Sequence, residues 1–189
     1  MRILFWILTC LLALQLGCAS VSDRPQTVRE LLQSEENLTT VRSPDTVEVI
    51  ALSIAGDVNP YRKFDTQLFT APEHVHLRSA PVALPAELKS ALSKKLVTND
   101  SYYWEGVKGC APFFHVRATF TRRQNVIIAD FCFDCELVYF RHGDKILSSG
   151  DFMPARAELL SLFRKVIPNN HILEQQAAQD KEHKSKPSN

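Results

Sequence analysis

The spacing of apolar and polar side chains changes along this chain, and each period predicts a different element. Where apolar residues recur every three to four positions the chain reads as helix. "TVRELLQSEEN" opens on Thr27 with Glu30 three positions later, the reciprocal pair that caps a helix start, and sets Val28, Leu31 and Leu32 on one stripe. "PAELKSALSKKLVTN" puts Pro85 in a first turn, aligns Leu88, Leu92 and Leu96, and meets Asn99 as a stop. "MPARAELLSLFRKVI" gathers Leu159, Leu160, Phe163, Val166 and Ile167 on one face and ends at Pro168. Its Arg156, Glu158, Arg164 and Lys165 are expected to face water.

Where the period falls to two, or the run is rich in β-branched residues, strands are expected. "DTVEVIALSI" is one such run, followed by a proline-punctuated stretch from Pro60 to Pro85 with little periodicity. From Pro112 to Ser148 the runs "PFFHVRATF", "NVIIADFCF", "ELVYF" and "KILSS" predict an antiparallel β-meander. His142-Gly143-Asp144 supplies a tight turn inside it. The fold class is therefore α+β, an antiparallel β-meander packed with two to three helices in a single domain. Residues 1–18 read as a signal peptide, 19–45 as a linker and short helix, 46–168 as the globular domain, and 169–189 as a disordered polar tail. The tail assignment rests on "EQQAAQDKEHKSKPSN", which has no apolar period.

The burial pattern also suggests a register. With "TRRQ" as a four-residue loop, Phe120, Ala118, Val116 and Phe114 lie opposite Asn125, Ile127, Ala129 and Phe131 on a nearly all-apolar face. His115, Arg117 and Thr119 then meet Asp130, Ile128 and Val126 on a mixed face. A slip of one residue would exchange the faces. Continued outward, this register puts Cys110 opposite Cys135, about 4.5 to 5.5 Å apart at Cβ, and Cys132 opposite Phe113 on the other side.

The first twenty residues bear on where the protein resides. "MRILFWILTCLLALQLGCAS" has one cation, an apolar run from Ile3 to Leu14, and small residues around Cys18, the three-part pattern of a secretory signal. That run is shorter than the roughly 20 residues of a spanning helix. Gly17-Cys18-Ala19-Ser20 resembles the lipobox of bacterial lipoproteins, although Gln15 stands where an aliphatic residue is usual; the alternative is simple cleavage after Ala19. The expected location is the bacterial cell envelope, with the membrane held through a lipid on Cys18 and an envelope protein as partner. Charge adds an exclusion: 22 Lys and Arg against 21 Asp and Glu leave no field for gathering nucleic acid. Phosphate loops, dinucleotide fingerprints and paired catalytic carboxylates are absent from the sequence.

Candidate chemistry centres on three cysteines. The run "YYWEGVKGCAPFFHVRATFTRRQNVIIADFCFDC" resembles a family of uncharacterised bacterial exported proteins and lipoproteins, in which a cysteine, a nearby proline and a hairpin precede a Cys-Phe-x-Cys. Cys110, Pro112, Cys132, Phe133 and Cys135 carry the resemblance, which implies that the cysteines form one unit and no particular activity. The unit has three readings. A disulfide from Cys110 to Cys135 or Cys132 would contribute roughly 3 kcal/mol by closing the intervening loop in an oxidising compartment; the register favours Cys135. A zinc or other soft-metal site would use Cys110, Cys132 and Cys135 with His115 or His142 as the fourth ligand; apart from that zinc, no cofactor is expected. A thiol-redox site would need the pair at a helix start, whereas "ELVYFRHGD" reads as strand. Lesser constellations are Glu73-His74-Val75-His76 as a metal pair, His115 opposite Asp130 as an acid-base pair without a nucleophile, and Tyr102, Tyr103 and Trp104 as packing. Two function classes follow: a non-enzymatic, membrane-anchored binding or structural domain, or a periplasmic thiol or metal protein.

Overall fold

The computed structural model describes residues 25–54, 75–77, 79–105, 108 and 112–185. Among them β1 (Thr46–Ile54) is flanked on one edge by β2 (Val75–Leu77) and the two-residue β3 (Val82–Ala83). Its other edge pairs antiparallel with β4 (Val116–Arg122), and β5 (Asn125–Cys132), β6 (Leu137–His142) and β7 (Lys145–Asp151) continue the sheet as a meander. The strand order is β2-β1-β4-β5-β6-β7, with β3 also on β1. The helices are α1 (Val28–Leu32), α2 (Glu35–Arg42), α3 (Ala86–Leu96), α4 (Arg156–Val166) and α5 (His171–Ser185). This is the expected α+β architecture.

Alternation along the strands divides the sheet into two faces. Val47, Val49 and Ala51 of β1, Val116, Ala118 and Phe120 of β4, Ile127, Ala129 and Phe131 of β5, and Val138 and Phe140 of β6 form the first. The helices bury that face with Leu31, Leu38, Leu92, Leu96, Leu160 and Phe163. Phe131 meets the ring of Phe163 at 4.9 Å between centroids, and Phe133 meets that of Phe152 at 5.3 Å, both edge-on. Each such side chain contributes about 1.5–3 kcal/mol on burial. Gly150 of β7 sits against this core, and a Cβ there would lie 2.8 Å from Cδ1 of the buried Tyr102. The second face holds a smaller cluster of Ile50, Leu52, Phe114, Cys132, Cys135 and Leu137.

Several expectations need correction. The β4–β5 turn is the two residues Arg123 and Gln124, with Arg122 opposite Asn125, so Phe120 faces Ile127 and Val116 faces Phe131. The tight turn is possible because Arg123 takes a left-handed φ of 54° and its N–H donates to Asp45 Oδ2 at 2.8 Å. The shift from the expected register is two residues, which keeps the side chains of β4 and β5 on their predicted faces but changes their partners, whereas Phe114, expected on the first face, lies ahead of β4 and joins the second-face cluster. The first predicted helix is broken in two, because Gln33 turns left-handed at φ 62° and Ser34 caps a new start by accepting the Asn37 N–H at 3.1 Å. Residues expected as a disordered tail form α5, which buries Leu173 and Gln176. Arg156 of α4 lies under that helix rather than facing water, with its side chain 12% exposed.

Candidate functional site

The Cys-Phe-Asp-Cys segment is the turn between β5 and β6. β5 ends at Cys132, whose ladder partner is Leu137, and the four residues between reverse the chain, with Glu136 left-handed at φ 57°. The Cys135 N–H donates to Cys132 Sγ at 3.3 Å. Both cysteines are buried in the second-face cluster. Cys135 therefore does not lie on the first face as the extended register required, because the strand stops three residues before it.

Phe133 points the other way, into the first-face core, and its N–H donates to His115 Nδ1 at 3.1 Å. An accepting Nδ1 carries no hydrogen, so the hydrogen of the neutral ring sits on Nε2, which lies 3.3 Å from Asp134 Oδ2. The amide of Gln176 from α5 donates to the other oxygen of Asp134. The His115 hydrogen bond is the main cause holding the Asp134 carboxyl below the usual carboxylate range. Arg156 completes this side, with its Nη2 donating to Gln176 Oε1 at 2.6 Å, its Nε to Phe133 O at 3.4 Å, and ion pairs to Asp180 and Glu136. Lys108 bridges Glu136 and Asp151; burial pulls its pKa down, but the hydrogen bonds to the two carboxylates outweigh it and leave it raised. Four parts of the chain are thus tied to one turn.

A second polar group lies further along the second face. Asp130, 1% exposed, accepts from Arg117 Nε at 2.6 Å and Nη2 at 3.0 Å across the β4–β5 ladder. Arg141 of β6, its side chain 7% exposed, approaches the same carboxylate only at 3.7 Å. The pairing of His115 with Asp130 expected from the sequence is not present; the two-residue shift gives Asp130 to Arg117 instead. Arginines on both neighbouring strands, Arg117 and Arg141, were the available signal, and it needed the correct register to be read.

The remaining candidates are dispersed. His142 ends β6 at the opposite end from the cysteine turn, about 17 Å away at strand spacing, and so cannot share an ion with Cys132 and Cys135. It lines a polar groove of about 700 Å³ with Glu35, Glu36, Thr39, Arg123 and Asn125. Among the described residues no three His, Cys, Asp or Glu side chains converge as a metal site, and no helix is long and apolar enough to cross a membrane. Cys18, Cys110, Glu73 and His74 lie outside the described residues. Tyr102 is core, its hydroxyl donating to Leu96 O at 2.9 Å and its pKa pushed up by burial. Comparison with known protein families, curated proteins and solved structures finds no match.

Proposed function

We propose that the protein is an exported bacterial envelope lipoprotein, anchored through Cys18, whose domain acts by binding or support rather than by catalysis. The observation that carries this reading is the order of Gly17-Cys18-Ala19-Ser20 after an apolar run and shortly before the first helix at Val28. The state of the reactive groups supports it too. Both ring nitrogens of His115 are taken up by the turn, and Cys132 is 0% exposed, closed to a bulky disulfide substrate. Within the reading, Cys110 closes on the Cys132 and Cys135 turn as a structural bridge in the oxidising envelope.

The test is expression of the full chain in a bacterium followed by detergent-phase partitioning and mass spectrometry of the mature N-terminus. The expected result is an acylated N-terminal Cys18 in the detergent phase, and release or a processing block in Cys18→Ser. A soluble protein beginning at Ser20 would overturn the anchor. Peptide mapping of the same sample identifies the partner of Cys110, and stoichiometric zinc with all three thiols protected would replace the bridge by a metal site.

A further inference from the structure

The Arg117, Asp130 and Arg141 group holds two cations against one anion inside the sheet's second face. Asp130 commits both oxygens to Arg117. Arg141 Nη1 reaches Asp130 only at 3.7 Å, beyond hydrogen-bond length, and Arg141 Nε is buried with no acceptor. Asp130 is the one carboxylate paired with Arg141 among the described residues. A guanidinium keeps its charge throughout the ordinary pH range, and an uncompensated buried charge is strongly unfavourable unless an anion completes it.

We propose that Arg141 anchors a binding site for a small carboxylate carrying a short apolar group. The planar fork of a guanidinium matches the two oxygens of a carboxylate, which would take the Nε and Nη positions that Asp130 does not fill. Along β6 the same face continues from Arg141 to Tyr139 and then Leu137, at the border of the second apolar cluster, so the carboxylate head has apolar surface beside it. The side chain of Arg141 is 7% exposed and its Nε is covered, so a ligand would have to reach it past Ile128, opposite Arg141, and Tyr139, which are only partly buried. The site deepens the binding-domain reading but does not need the anchor: the Cys18 experiment and the one below fail independently.

The test is thermal unfolding of the mature, oxidised protein against butyrate, inorganic phosphate and chloride at constant ionic strength. Butyrate is expected to raise Tm saturably, by about 5 °C or more at a hundred times Kd, and to do so at lower concentration than phosphate. Arg141→Met should abolish the response and melt higher than the wild type without ligand. Should that variant not fold, Arg141→Lys keeps the charge without the fork and should bind butyrate at least about tenfold more weakly. Absence of a saturable shift in the wild type, an equal shift in Arg141→Met, or a response to phosphate alone would each overturn the assignment.

Discussion

Asp130 stands between two guanidinium groups, and its removal tests what it balances. Asp130→Asn keeps the shape and deletes the only carboxylate that pairs with Arg117 and Arg141 among the described residues, so it should cost about 3–5 kcal/mol in urea unfolding. Adding Arg141→Met should recover part of that loss, whereas independent sites would simply add. Asp134 makes a different prediction, one of pH. Its folded pKa is depressed, so its stabilising contribution is complete above the unfolded value of about 3.9 and is lost as pH falls through the folded value. The stability gap between wild type and Asp134→Asn should therefore be constant near neutrality and close in acid; a gap that persists below that window would show that the lock does not depend on the carboxylate. These two aspartates also show how far single residues were legible. Asp130 was named from the sequence, but its partner depends on a turn that places Arg123 in a conformation its residue type rarely adopts; Asp134 was not singled out, because His115 and Gln176 meet it only once the β5–β6 turn and α5 are in place.

At the scale of the element, α5 is the main departure from the sequence reading. Its docking stripe is Leu173, Gln176, Ala177 and Asp180, in which polar members outnumber strongly apolar ones. Apolar periodicity is blind to a face held by an amide and a carboxylate on Arg156 and Asp134. Truncation after Asn170 removes Leu173 from the core and leaves Arg156 without Asp180 and Gln176, so it should destabilise by about 2–4 kcal/mol. A thermal melt unchanged by the truncation would show that α5 contributes nothing to the domain. By contrast, α3 and α4 were legible because their apolar stripes are continuous, and α1 and α2 only in part, because the break at Gln33 lies in a backbone angle and not in the pattern.

Over the whole molecule, the two-faced sheet explains why the fold was readable while the site was not. Face membership follows from alternation and survives a two-residue shift, so the core of β4 and β5 was correct in composition even with the wrong pairs. A site depends on which side chains meet: the shift changed the answer for Asp130, and the end of β5 at Cys132 changed it for Cys135.

The position of β1 gives the sheet a direction in time. The meander turns at Arg123, Phe133 and Gly143 join neighbours in sequence, whereas β1 pairs Ala51 with Val116 and Thr46 with Thr121 across the intervening chain. Short hairpins close in microseconds, while a long loop must lose more entropy before its first contact is rewarded. The strand that is synthesised first is thus expected to dock late, onto an edge that the later strands have already made. Pulse-labelled hydrogen exchange during refolding should protect the amides of β5 before those of β1, and simultaneous protection would mean that the sheet assembles in a single step.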